Sequence, residues 1–342
     1  MANEIEIKLM LEAKHNQKQR LTADTLNKVT EVIRSIPALK VMAEEDLDLL
    51  NLYFDTKNQD LYHHGIALRV RRTGSAYEMT IKTKPSARTA GLHVHPEYNI
   101  ALDARPKVPE LALFPQEVFA QAIADGLSVA SLQGQIYNHM GQECRRHTML
   151  LSPSLLNDQH QTSSIVELSL DEVTYQGQHG PVYGVELELE LKDGEPQVLS
   201  FMLAQILHHM AQNVPEVLVR AGGMSKMQRS AIYAALSQVP TCDLTQVKDA
   251  ETLWHALSEL EAEIFMNTQV SVKSTDKFKG LIELIGQIPE SFVAASEALK
   301  ELARALDLCL TLQPQAKVEA FRQALGQSEF VQARIDRALA KL

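Results

Sequence analysis

Cysteine, tryptophan, positive charge and long apolar runs are all scarce in this 342-residue chain. Its three cysteines, Cys144, Cys242 and Cys309, stand far apart without C-x-x-C spacing, which argues against a disulfide framework or a thiolate metal site and leaves reduced, buried thiols. A formal charge of -10 excludes a general nucleic-acid surface, because neutralising a phosphate backbone takes a basic face. Any polyanion must therefore be met locally. No apolar run approaches the roughly 20 residues of a membrane helix, and the opening MANEIEIKLM carries two carboxylates, so a cytoplasmic protein without membrane contact is expected.

What is present is the composition of a globular protein, 45% hydrophobic and 22% charged, at a length that suits about two domains. Up to about residue 238 the chain reads as strands with helical inserts. Alternation predicts strands at Glu4 to Leu11, Asp48 to Phe54, Ile66 to Thr73, Tyr77 to Lys84, His93 to Leu102, Arg145 to Leu151, Ile165 to Tyr175 and Gly180 to Leu191. Eight such strands suggest a closed or nearly closed sheet. Three- and four-residue apolar spacing predicts covering helices at Arg20 to Ser35, Pro115 to Ala124 and Pro196 to Ala211. Beyond the boundary at Val239-Pro240-Thr241 the pattern is helical alone. The expected architecture is α+β, with a sheet domain over residues 1–238 and a small all-α domain over residues 246–342.

Side chains two apart on a strand share a face. In EIEIKLML, Ile5, Ile7 and Leu9 form one face and Glu4, Glu6 and Lys8 the other. VELELEL repeats this with Glu186, Glu188 and Glu190, while Glu167 and Asp171 bracket Ser169 opposite Val166, Leu168 and Leu170. Arg69 and Arg71 alternate with Leu68 and Val70, and Lys82 and Lys84 flank Thr83 next to Ile81. A solvated antiparallel sheet also alternates. Rows of pure acid, however, repel unless a cation joins them, and carboxylates are hard oxygen ligands suited to Mg2+ or Mn2+. Arginine and lysine offer the matching donors to phosphate. Ionic faces turned inward would bind metal on the acidic side and a polyphosphate on the basic side.

Glu4-Ile5-Glu6-Ile7-Lys8, followed in order by Arg69-Val70-Arg71, Thr80-Ile81-Lys82, Glu97, Arg145-Arg146, Glu167 to Asp171, Glu186-Leu187-Glu188 and Ser225-Lys226, resembles the motif series of the CYTH superfamily, the triphosphate tunnel metalloenzymes. The resemblance covers roughly residues 1 to 235. It implies an eight-stranded antiparallel β tunnel, a closed barrel with flanking helices. It implies phosphate binding by Lys8, Arg69, Arg71, Lys82, one of Arg145 and Arg146, and Lys226. Metal would be held by Glu4, Glu6, Glu97, Glu167, Asp171, Glu186, Glu188 and Glu190, and Glu4, Glu6, Lys8 and Glu188 form the expected catalytic set. One departure is visible: His95, sharing a face with His93, stands where a basic residue would precede Glu97.

The implied activity is metal-dependent hydrolysis of inorganic triphosphate, since the two-part chain resembles bacterial proteins that append a helical domain to the tunnel. Thiamine triphosphatase, nucleoside triphosphatase, class IV adenylate cyclase and a non-catalytic polyphosphate-binding module are the alternatives. The appended domain in related proteins is often the histidine-rich CHAD module. Here the tail from Val247 has only His255, and its basic residues are mixed with acids as on solvated helices. Its expected role is packing, oligomerisation or binding a protein partner, as a reduced relative of that module.

Overall fold

Strands with one apolar and one ionic face can close into a ring if helices cover the outside and the charges are gathered within. The computed structural model describes residues 2–15, 19–84, 87–89, 91–154, 164–266, 272–287 and 293–342. Its strands are β1 (Ala2–Ala13), β2 (Leu39–Asp55), β3 (Ala67–Thr73), β4 (Ala76–Lys82), β5 (Ala87–Thr89), β6 (Leu92–Leu102), β7 (Tyr137–Pro153), β8 (Ile165–Gly177), β9 (Gly180–Asp193) and β10 (Val217–Ala221). Eight of them run β1-β9-β8-β7-β2-β3-β4-β6 and return to β1, all antiparallel. The ring is the closed sheet expected from the alternation. The ring has the eight strands expected, and two strands the alternation did not mark extend the sheet, β5 adding to β6 and β10 adding to β1. β5 is too short to alternate, and every residue of β10 is buried, so neither leaves a two-residue pattern.

On one edge of β1, β6 pairs from Ala2 to Ile7 and β10 takes over from Leu9 to Ala13. Lys8 stands at the handover, its N–H donating to the Gly91 carbonyl at 2.7 Å and its carbonyl accepting from the Gly222 N–H at 2.8 Å.

Within the tunnel region lie α1 (Ala23–Arg34), α2 (Asp60–His63), α3 (Ala120–Ala124), α4 (Val129–Gln133), α5 (Gln197–Asn213) and α6 (Lys226–Tyr233). The tail follows as α7 (Ala250–Phe265), α8 (Val272–Gly286), α9 (Val293–Cys309), α10 (Pro314–Leu325) and α11 (Ser328–Leu339). In α5, Leu199, Met202, Leu203, Ile206 and Met210 recur at helical spacing, and with α1 they cover Ile7, Leu9, Leu168, Leu187 and Leu189. A second outer core joins Leu68, Val70, Met79 and Ile81 to Phe114, Phe119 and Leu132. The expected helix at Pro115 to Ala124 is a 3-10 turn followed by the five residues of α3.

α6 crosses the rear of the ring. Ser225 caps it through a capping box with Gln228, Met227 and Ala231 meet Tyr53 and Met140, and the Ser230 hydroxyl donates to Gln142 at 2.9 Å. Helices α7 to α10 share a core that includes Trp254, Phe278 and Phe321. α11 serves both regions: Phe330 joins that core, while Val331, Ile335, Ala338 and Leu339 join the tunnel's outer core. Cys144 and Cys242 are buried and free, and burial pushes the Cys242 thiol up to about 12. The Cys309 side chain lies outside the described ones. No helix among the described residues is long and apolar enough to cross a membrane.

Leu189 is fully buried and stands between Ile7 on β1 and Leu168 on β8. Leu189→Ala should lower the unfolding free energy by about 2–5 kcal/mol through lost burial and a residual cavity. Urea unfolding checks this, and a loss below about 1 kcal/mol would show that this outer face is not core.

Candidate active site

The ring encloses a cavity of about 1150 Å3 whose walls carry opposite charge. Register puts the acids side by side: Glu6 faces Glu190 and Lys8 faces Glu188 between β1 and β9, while Asp171 faces Glu186 and Glu167 faces Glu190 between β8 and β9. Arg69 and Arg71 on β3, Lys82 on β4, Arg146 on β7 and Lys226 at the start of α6 supply the cations.

At the centre, one oxygen of Glu188 accepts from Lys8 at 2.7 Å and Lys226 at 2.6 Å, and the other accepts from Arg146 at 2.9 Å. Arg146 also makes a two-pronged pair with Asp171, 2.7 Å on each arm. Lys226 reaches Asp171 at 2.8 Å and Glu186 at 3.1 Å. Burial works against every charge here, yet the surrounding cations hold Asp171 down to about 2 and Glu188 well below the usual range. Toward the mouth, Lys82 joins Glu4 to Glu97, and Lys192 joins Glu190 at 2.7 Å to Glu167 at 3.7 Å. Against burial, Lys82 and Arg69 hold Glu97 down to about 2.

Two carboxyls stay crowded by other acids although each has a lysine beside it. Burial, with Glu4 and Glu188 close by, pushes the Glu6 carboxyl up although Lys8 lies 2.7 Å away. Burial and Glu4 likewise push Glu190 up. Negative charge is therefore crowded along β1 and β9, and hard oxygen donors crowded in this way suit a divalent cation. Among the described residues no three His, Cys, Asp or Glu side chains form a ready-made cage. On the opposite wall, Arg71 donates to the Asn51 side-chain oxygen at 2.9 Å, and among the described residues no carboxylate pairs with it. Burial and the adjacent Arg69 and Arg146 lower it to about 10. Arg69 donates to Thr80 at 3.1 Å and keeps a buried Nε without a hydrogen-bond partner. The pair is arranged for an anion.

The structure gathers Glu4, Glu6, Lys8, Arg69, Arg71, Lys82, Glu97, Arg146, Glu167, Asp171, Glu186, Glu188, Glu190 and Lys226 in and around one cavity, in three ion-paired groups with Arg71 outside them. Arg145 is corrected: it is exposed on the outside, because Arg146 takes the inward parity opposite Asp171. His93, on the same face as His95, is 1% exposed, its Nε2 2.9 Å from the Gly222 carbonyl oxygen. Lumen residues missed from the sequence include Lys192, which simply continues the parity of Glu186, Glu188 and Glu190. Arg229 was also missed; it pairs with Glu186 and donates to the Tyr175 hydroxyl at 3.0 Å. The signal for it was the Ser225-x-x-Gln228 capping box, which marks a helix start and puts Arg229 one turn beyond Lys226.

The CYTH domain family matches residues 2–213 of this chain. Similar solved structures include a candidate adenylyl cyclase from Hippeastrum described as revealing a dominant triphosphatase activity, 20% identical over 66% of this chain and 94% of that one, with a TM-score of 0.43. A candidate adenylate cyclase from Bacillus halodurans is 20% identical over 67% and 98%, with a TM-score of 0.37. An inorganic triphosphatase is 17% identical over 56% and 74%, with a TM-score of 0.17.

Asp171 supplies a pH test. Its folded carboxyl lies below its unfolded value of 3.8, so its contribution is present above about pH 4 and lost as pH falls toward 2. The shift corresponds to about 2 kcal/mol. Asp171→Asn, which leaves Arg146 and Lys226 less compensated, should be less stable at pH 7 and should lose less between about pH 4 and pH 2. Thermal midpoints across that window check it, and parallel curves for the two proteins would contradict the assignment.

Proposed function

The chain belongs to the CYTH family, and on that premise we propose that it hydrolyses inorganic triphosphate to diphosphate and phosphate within the ring, with Mg2+ or Mn2+ as its cation. Arg71 carries this reading: a half-buried guanidinium beside two other arginines, bonded to a neutral amide and facing a cavity, calls for an anion. The crowded carboxylates opposite call for a cation. A triphosphate with its metal satisfies both walls at once.

Phosphoryl transfer needs alignment and charge neutralisation more than covalent chemistry. Arg69 and Arg71 would take phosphate oxygens on one side, while Lys8, Lys82, Arg146 and Lys226 would turn part of their hydrogen bonding from acids to phosphate. Glu4, Glu6 and Glu190, with Glu97 and Glu167 nearer the mouth, would hold the metal. When bound, a divalent ion draws in phosphate oxygens and acidifies a coordinated water. Asp171 and Glu186 would set the cations in place. Glu188, held well below the usual range, is a poor proton acceptor and would act by charge and by orienting water. Glu6, pushed the other way, is the better group to receive the proton. Trp254 packs under Phe330 in the tail and offers no platform for a base.

The test is turnover of triphosphate, ATP and thiamine triphosphate, each with Mg2+ or Mn2+, reading phosphate and cyclic AMP. Preferential phosphate release from triphosphate is expected. Cyclic AMP would replace this reading with a cyclase, preference for an organic triphosphate would move the substrate, and binding without turnover would leave a polyphosphate-binding module. Glu6→Gln should reduce metal-dependent turnover by about 10²–10⁴-fold. Arg71→Gln should leave the free protein at least as stable, since a half-buried charge without a carboxylate partner is removed, while raising KM for triphosphate. Unchanged KM in that variant would take Arg71 out of the substrate site.

A further inference from the structure

The tail meets the tunnel at the point where β1 changes neighbours. Ile335 of α11 is fully buried, and its Cδ1 lies 2.5 Å from where a Cβ on Gly91 would stand. The Cβ of Ala221 is 3.0 Å from the same position. Gly91 has a φ of +99°, so glycine is required there both for conformation and for the close approach of α11. Its carbonyl accepts the Lys8 N–H, and Gly222, next after Ala221, donates to the Lys8 carbonyl. A helix side chain thus stands against Gly91, one of the two residues that fix the Lys8 backbone from that edge, with Ala221, the neighbour of the other, beside the same spot.

A second contact holds the far end of the same strand. Arg322 of α10 has no exposed surface and donates to Glu12 of β1 at 3.0 Å and to the Lys14 carbonyl at 2.5 Å. Glu12 also accepts from Arg220 of β10, and burial notwithstanding, the two arginines hold its carboxyl below the usual range. From Ala221 the chain needs only Gly222 to Ser225 to reach Lys226. Lys8 and Lys226 then converge on one oxygen of Glu188.

We propose that the carboxy-terminal helices clamp β1 to β10 and so set the spacing of Lys8 and Lys226 about Glu188, with Ile335 and Arg322 as positioning residues for phosphate binding. This rests on the reading that the two lysines meet substrate phosphate. The tail, on this account, is a working part of the site rather than an independent module.

The experiment uses the full chain carrying Arg322→Ala, Arg322→Lys, Ile335→Ala or Ile335→Val, with Arg304→Ala on the exposed face of α9 as control. Steady-state turnover of triphosphate with Mg2+ is measured beside amide hydrogen exchange of segments 2–13 and 217–233 without ligand. Arg322→Ala and Ile335→Ala should raise KM about tenfold with kcat changed less than about threefold, and should speed exchange in those two segments. Arg322→Lys should recover part of the loss, and Arg304→Ala should change neither readout. Should either alanine variant fail to fold, Arg322→Lys and Ile335→Val give the same test at smaller amplitude. Wild-type KM and wild-type exchange in the folded variants would overturn the clamp, even if their melting temperatures fell. An inactive wild-type chain would instead overturn the triphosphatase reading, and the exchange measurement would still decide the clamp.

Discussion

Glu188 takes one negative charge into a buried position and meets three cations there, from β1, β7 and α6. A buried carboxylate is costly unless every lone pair is engaged by a charged donor, and removing one partner leaves the others uncompensated. This contact ties three strands and a helix to one atom group, and it lets the ionic faces turn inward at all. Asp171 and Glu186 extend the same logic, each shared between Lys226 and an arginine. Once the centre is paired, helices can take the apolar outside, and the layers of the fold follow.

Pairing is complete at the centre and incomplete on both sides of it. Glu6 and Glu190 face each other across β1 and β9 with other acids close by, while Arg71 donates to Asn51 and, among the described residues, pairs with no carboxylate. A structure selected for stability alone would have matched these groups or replaced them with hydrocarbon. The imbalance is spatially ordered, acids on one wall and guanidinium on the other. Such fixed charges are already oriented when a ligand of opposite polarity arrives, so little reorganisation remains to be done.

Strict alternation made β1, β8 and β9 legible, because in VELELEL every second residue is acid and every other one is fully or largely buried core. The same rule could not separate Arg145 from Arg146, since adjacent arginines fit either parity, and only Asp171 on the neighbouring strand chooses. β10 escaped because VLVRA is buried on both faces and has no period of two. Arg322 reads as a solvated helix residue in any local window. Its partner Glu12 is 310 positions away, and no spacing rule spans that distance. Local pattern therefore conveyed the walls of the tunnel, while the contacts that hold the walls together are long-range and invisible to it.

The like charges on β1 and β9 could relax if either strand slid, yet sliding is barred. A shift of one residue would send Ile7, Leu187 and Leu189 into the ionic lumen and Glu6, Glu188 and Glu190 into the hydrocarbon beneath α5. A shift of two would break the Lys8 backbone bonds to Gly91 and Gly222, and α11 packs on Gly91 from outside. Repulsion between the acids is thus retained in the site, opposed by apolar burial that is indifferent to the charge of whatever binds. Relief can come only from a proton or a cation. A proton neutralises one carboxyl at a time, whereas a divalent ion can serve two or more together and leave coordination for phosphate oxygen. The outer core is in this sense what keeps the lumen poised for a cation, and α11 is part of that core.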